Sequence, residues 1–395
     1  MERELANKSG IANALFRNPA LAWYFPQVPQ PFYESRLPSA SVRRIALAYA
    51  NLVIRRDLGE YSAAARSFPS VSVIIPACSM DRWDGLRDAV ASVRAQTVEV
   101  LETVVVIDHN PGLMAKAAGE LPGVKVIANA GIRGASGARN AGAAASRGEM
   151  LAFLDDDAIA SPNWLESLLQ HFKDPKVVGA GGRLEPLWKT RRPRWFPQEF
   201  DWALGCSYMG MPESATVVRN VFSNAMAIRR QAFDAVSGFR DDFGKIGSWS
   251  RPEDTDLCLR TAGCDGGGTW IYEPNAIVRH QVPAERTTLS YFLRRCYYEG
   301  QGKATLASMN GISESTSTEW QYTRYVLPHG IVRGLRETAR GDASGVARSF
   351  AIIAGTSFAI VGFLADRAVG YVVARHGAGR LGAASVTTRR PMSRH

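Results

Sequence analysis

The sequence predicts an α/β protein: a mostly parallel, Rossmann-like sheet with helices on both faces and helical additions at both ends. Three observations carry this. Short β-branched runs alternate with segments of helical spacing, the pattern of parallel strands joined by crossover helices. Several of these runs end in polar or acidic residues, as strands do at the ligand-binding edge of an open α/β sheet. One of them, Leu151-Ala152-Phe153-Leu154, breaks directly into Asp155-Asp156-Asp157. Four apolar residues suit a buried strand, but three adjacent carboxylates cannot be buried together without neutralisation. A divalent cation with phosphates is their natural counter-charge. A helix cap needs one aspartate, not three.

Taken in order, residues 1–68 read as an appended segment. Pro19, Pro26, Pro29, Pro31 and Pro38 break any long helix, and Ser41 opens one that runs to Asp57. The main domain is expected over 69–285. Val71 to Pro76 is a buried first strand, Asp84 to Gln96 an amphipathic helix, and Thr103 to Ile107 a second strand ending in Asp108. Val124 to Ala128 is a third strand. The small residues from Ala135 to Ser146 form a helix lying close on the sheet, with Arg139 and Asn140 near its start. After the acidic strand come a helix from Trp164, with Ser161-Pro162 as its start, and a strand from Val177 to Gly182. Asn224 to Arg229 is a further strand. Glu253 and Asp254 open a helix with acids at its positive end. Trp270 to Tyr272 and Ala276 to Val278 are short strands, with His280 after the second. Residues 286–378 are expected to be helical, with a helix from Leu289 to Ala307, and 379–395 form a basic tail.

The chain has 395 residues, 46% of them hydrophobic and 21% charged, which is globular and not disordered. Its net charge of +10 leaves phosphorylated substrates, anionic lipid and nucleic acid as partners. The basic residues are scattered and carboxylates line the crevice, so no nucleic-acid partner is expected. Five cysteines form no CxxC pair and imply reduced thiols and a cytoplasmic setting. Met1 to Asn18 has no apolar core of the signal-peptide type. Ala351 to Ala365 is the long apolar stretch, short of the ~20 residues that span a bilayer. It is either buried, interfacial or re-entrant with Ala368 to Val373. The loop Trp188 to Phe196 interleaves aromatic and basic residues, either simply solvated or meeting a phosphate or lipid headgroup.

No P-loop or GxGxxG is present, so a metal held by carboxylates would have to carry any diphosphate charge. The run Val71 to Pro76, the strand ending in Asp108, Gly137-Ala138-Arg139-Asn140, Asp155-Asp156-Asp157 and Glu253-Asp254 together resemble an inverting family 2 glycosyltransferase of the GT-A fold. The resemblance covers about Val71 to Gln281. It departs at Asp108-His109-Asn110-Pro111, where the family often has Asp-Asp-Gly-Ser or Asp-Asn-Gly-Ser. The resemblance implies a donor site of Pro76, Ala77, Asp108, Arg139, Asp155 and Asp156. It also implies Mg²⁺ or Mn²⁺ on Asp157, and Asp254 as general base with Glu253 beside it.

His280 is either a second metal ligand or a structural hydrogen-bonding group. Asn224 and Trp249 are acceptor candidates, with core packing the competing role for Trp249. Arg294 and Arg295 either clamp the diphosphate or face solvent. The implied reaction moves a sugar from a nucleotide-diphosphate sugar, with UDP the expected nucleotide, to a saccharide or lipid-linked acceptor. Its implied setting is cell-envelope, exopolysaccharide or glycolipid synthesis at the inner membrane face, on an anionic surface. A retaining transferase, a sugar nucleotidyltransferase and a basic nucleic-acid or anionic-lipid binding protein are the alternatives.

Overall fold

The computed structural model describes residues 68–246, 249–264, 267–311 and 319–383, with backbone alone at 245–246, 249–250, 310 and 369–383. The N-terminal segment, where a helix is expected from Ser41 to Asp57, and the basic residues from Arg389 lie outside the described residues.

Strand β1 (Val71–Ala77) is the sheet's central organiser, because its β-branched side chains fill both faces. It pairs in parallel with β2 (Glu102–Asp108) and β4 (Met150–Leu154), and β2 pairs in parallel with β3 (Lys125–Asn129). The rest of the sheet is mixed. Beyond β4 lie β8 (Ala225–Arg229), β6 (Val177–Trp188), β11 (Thr269–Val282) and β5 (Ala158–Ala160), and β7 (Thr216–Val218) pairs with β11. β8 runs antiparallel to both β4 and β6, while β6 and β11 are parallel. Parallel pairing therefore holds through the first half, and the later strands bring the antiparallel pairs. A separate hairpin joins β9 (Gly244–Ile246) to β10 (Trp249–Arg251).

Helices cover both faces. α1 (Trp83–Arg94) buries Leu86, Ala89, Val90 and Val93. α2 (Pro111–Glu120) is not among the elements expected from the sequence, although its start signal is there. Asn110 accepts the Leu113 N–H at 3.0 Å and Pro111 sits in the first turn. α3 (Ala135–Ala145) lies close on β1 and β2 because its inner residues are small. α4 (Trp164–Leu169), α5 (Arg230–Ala235) and α6 (Glu253–Ala262) complete the domain. Phe153, Phe233 and Phe239 pack ring on ring at 5.3–5.7 Å in the core between sheet and helices.

The two short strands expected at Trp270 to Tyr272 and Ala276 to Val278 are one strand, β11, whose register against β6 shifts between Glu273 and Ile277. The C-terminal region is helical: α7 (Leu289–Asn310), α8 (Leu327–Ala339) and α9 (Ser344–Ala383).

Candidate active site at the acidic turn

β4 is buried over all five residues and delivers Asp155–Asp157 to the sheet's edge. The chain turns at once, Ala158 N–H donating to the Asp155 carbonyl at 3.2 Å, and β5 pairs antiparallel with β11. That register sets His280 opposite Ala158, and Gln281 N–H donates to the Asp157 carbonyl at 2.8 Å. His280 is therefore within β11, not beyond a strand end, and its Nε2 lies 3.2 Å from Asp157 Oδ1. Gly205 holds φ at +79° beneath the imidazole, and a Cβ there would come 3.3 Å from His280 Cε1. Only glycine meets both conditions cheaply.

Each carboxylate of the turn meets a guanidinium. Asp155 accepts from Arg139 Nη2 at 2.8 Å, and the other end of that guanidinium reaches Glu253 at 3.2 Å. Asp156 accepts from Arg82 Nη1 at 2.8 Å, and the same nitrogen is 3.1 Å from Asp157 Oδ2. Arg286 Nη2 lies 3.9 Å from that Oδ2. Burial pushes the Asp156 carboxyl up to about 7, with Arg82 opposing. Burial also acts to raise Asp157, but His280, Arg82 and Arg286 outweigh it and hold the carboxyl below the usual carboxylate range.

Asp157 Oδ1 is buried and makes no hydrogen bond, despite its closeness to His280. Asp155, Asp157 and His280 each offer a ligand atom, all within 4.8 Å of one another. Two carboxylate oxygens and an imidazole nitrogen suit Mg²⁺ or Mn²⁺, and the orphaned oxygen is an available ligand atom for such a cation.

Glu253 and Asp254 open α6. Asp254 Oδ1 accepts the Thr255 N–H at 2.7 Å. Burial pushes Glu253 up to about 7, with adjacent Asp254 adding to it, and burial raises Asp254 as well. Arg139 thus ties this pair to the acidic turn through one buried guanidinium. Asp256, two residues along, instead braces the helix against its surroundings, held by Arg240 and Arg260 at 2.9 and 2.7 Å. Asn224 is buried just ahead of β8, and its neighbour Ser223 donates to Glu253 at 3.5 Å.

Pro76 and Ala77 end β1, and Asp108 ends β2. The Asp108 carboxylate accepts from Asn129 Nδ2 at 2.7 Å and from the Gly134 N–H at 3.0 Å, bracing the neighbouring strand end and loop. Arg294 is exposed on α7, while Arg295 pairs with Glu299 at 2.9 Å and lies over the Trp202 ring at 5.9 Å. Besides Arg139, the guanidiniums at the acidic turn are instead those of Arg82 and Arg286. Sequence reasoning missed both, the available signal being no more than a basic residue shortly after β1 and after β11. The side chain of Trp249 lies outside the described residues. In the loop from Trp188 to Phe196, Arg192 pairs with Asp201 at 2.7 Å and stands over the Trp188 ring at 5.4 Å. That arginine is engaged within the protein.

Residues 72–237 match the family model "Glycosyl transferase family 2". The glucosyl-dolichyl phosphate glucuronosyltransferase of Haloferax volcanii is 32% identical over 241 residues, which is 60% of this chain and 77% of the relative. The pre-mycofactocin glycosyltransferase of Mycobacterium tuberculosis is 30% identical over 61% of this chain and 48% of its own length. The structure of a mannosyltransferase from Pyrobaculum calidifontis in complex with GDP-Man and Mn²⁺ aligns at a TM-score of 0.48 and 18% identity, over 81% of this chain and 97% of that one. With its family motifs meeting at one sheet edge, and a relative matched over most of its length, the chain belongs to glycosyl transferase family 2.

Proposed function

We propose that this glycosyltransferase moves a sugar from a nucleoside-diphosphate sugar to a hydroxyl of a saccharide or lipid-linked acceptor, with inversion at the anomeric carbon. The observation that carries the proposal is the bridge through Arg139, which fixes a metal-capable carboxylate cluster on one side and a basic carboxylate pair on the other. Asp155, Asp157 and His280 would hold Mg²⁺ or Mn²⁺. When bound, that cation supplies neutralising charge to the leaving diphosphate.

The protein's own groups do the rest. Asp254 accepts the proton of the acceptor hydroxyl as its oxygen bonds to the anomeric carbon. The bond from that carbon to the diphosphate oxygen breaks with its electron pair, and the nucleoside diphosphate departs. Arg82 and Arg286 provide positive charge where the diphosphate lies. Pro76, Ala77 and Asp108 would line the base, with UDP the first donor to test. The lipid-linked acceptor is supported by the dolichyl phosphate in the Haloferax relative's name. The five free cysteines agree with a site on the cytoplasmic side of the membrane.

The stereochemistry is read by proton NMR of the first-formed product from an α-linked donor. A β-linked product is expected; an α-linked product would replace inversion with retention. The pH profile gives an independent check. With Glu253 pushed up to about 7 and Asp254 raised beside it, kcat/KM should rise with pH along an acid limb above the ordinary carboxylate range of about 4. In Glu253→Gln that limb should persist, because burial, not the Glu253 charge, is what raises Asp254.

A further inference from the structure

We propose that one face of α8 and α9 rests in the plane of an anionic lipid bilayer, making the C-terminal helices an in-plane anchor. Ser344–Ala368 is long and apolar enough to cross a membrane by length and composition. Its contacts argue for the flat arrangement. Ala351 and Ile352 are 2% and 1% exposed, and a Cβ at Gly355 would meet the rings of Phe292 and Phe200 at 2.7–2.8 Å. Backbone packs directly on backbone at Gly300 of α7 against Ala359, and at Gly362 against Tyr297. Ser349 donates to the Ile331 carbonyl of α8 at 2.9 Å, and Arg348 joins Glu337 at 2.6 Å. One side of α9 is thus fastened to α7 and α8 from Arg348 to Gly362. Crossing a bilayer would strip those contacts away.

The opposite side of the same helix is open and apolar. Val346, Phe350, Ile353, Ile360, Val361 and Leu364 fall on one side of the helix, with Ser357 between Ile353 and Ile360, and all six apolar side chains are exposed, Phe350 at 68% and Leu364 at 60%. The stripe runs for about 27 Å at ~1.5 Å per residue. Among these positions Ser357 alone is polar, and its hydroxyl turns back to the Ile353 carbonyl at 2.9 Å. On α8 and the turn before it, Val332, Leu335 and Tyr325 are likewise exposed, and Trp320 is 65% exposed. Tyrosine and tryptophan favour the headgroup level of a membrane. An exposed patch this extended marks an interaction surface.

Charge selects the occupant. Arg324, Arg336, Arg340 and Arg367 are exposed on these helices. The neighbouring acids are neutralised or engaged: Glu337 and Asp342 by Arg348, and Asp366 by the Thr305 hydroxyl. From Val369 to His395 the sequence adds Arg375, Arg380, Arg389, Arg390 and Arg394 with no acid. Anionic headgroups complement the exposed arginines of these helices, whereas a second copy of the chain would bring like charges together. An amphipathic helix with one fastened side and one apolar side lies in the interface plane. Lipid contact at this face is independent of the donor chemistry: loss of transferase activity leaves it untouched.

The test is flotation of the full chain with phosphatidylcholine vesicles, with and without phosphatidylglycerol. Binding is expected with phosphatidylglycerol and should weaken as salt rises. Ile353→Glu with Leu364→Glu should cut binding at least ~10-fold without moving the thermal unfolding midpoint, because both side chains are exposed in solution. Arg336→Gln with Arg340→Gln should cut it ~10-fold at low salt and flatten the salt dependence. Unchanged binding in either double variant overturns the proposal, as does a wild-type chain that ignores vesicles and dimerises through the stripe. Orientation is read in a Cys78→Ser background with a fluorescent label at Phe350→Cys or Leu364→Cys and lipids brominated at shallow or deep positions. Equal, shallow quenching at both sites is expected; a deep site at one end means the helix spans.

Discussion

Asp254→Asn should lower kcat by ~10²–10⁴-fold, the usual contribution of a positioned general base, while nucleotide-sugar binding stays within about twofold of wild type. In the proposed reaction the acceptor hydroxyl, with a pKa far above neutral, needs a carboxylate to take its proton as its oxygen attacks. Asparagine keeps the shape of Asp254 and can still accept the Thr255 N–H that the carboxylate holds at 2.7 Å. It cannot receive a proton. Fold and donor site are thereby separated from chemistry, and the readout is the split between kcat and donor affinity. Asp254→Asn with turnover near wild type would remove this residue from the reaction.

Arg139→Met should be the most destabilising single change at the site, at about 3–5 kcal/mol, the cost of breaking a buried ion pair from one side. The guanidinium is 3% exposed and serves Asp155 at 2.8 Å and Glu253 at 3.2 Å, so methionine fills the volume and leaves both carboxylates uncompensated. The pH dependence carries a definite sign. Glu253 in the folded wild type sits at about 7, above its unfolded value, so its contribution is fully present below the unfolded value and is lost as pH rises through 7. Without Arg139 that carboxyl is raised further. The deficit of the variant should therefore be large at neutral pH, no smaller at mildly alkaline pH, and shrink as the pH falls towards the ordinary glutamate value. Denaturant titrations at several pH values measure it.

The parallel half of the domain was legible because each strand is a local event: Val71 to Pro76, Thr103 to Ile107 and the run into Asp155 all announce themselves within a few residues. The acidic turn was legible for the same reason, since adjacent like charges demand a purpose wherever they fall. What stayed hidden depends on partners distant in sequence. β5 is three residues long and exists because β11 pairs with it, and that pairing is what carries His280 to Asp157. The continuity of β11 across Pro274 and Asn275 reflects its neighbour β6, since this stretch alone reads as a break. Arg82 and Arg286 reach the acidic turn from positions 74 residues before Asp156 and well beyond it, a distance that no motif spacing encodes. Arg295 looked equally suited by charge. Its location is decided by Glu299 one helical turn away and by the Trp202 ring. The apolar stretch at Ala351 could be read as buried, interfacial or re-entrant with Ala368 to Val373; α9 runs unbroken through both stretches, which removes the re-entrant pairing, and its two faces have one character each.

A cation held by Asp155, Asp157 and His280 would complete the donor site, and the proposed chemistry depends on it. The most direct measurement is titration calorimetry of UDP- and GDP-sugars into the protein, each with and without Mn²⁺, in wild type and Asp157→Ala. One nucleotide sugar should bind in the presence of Mn²⁺, weaken at least ~10-fold without it, and fail to respond to Mn²⁺ in the variant. Equal affinity with and without the metal, or an unchanged Mn²⁺ effect in Asp157→Ala, would contradict a cation at this cluster.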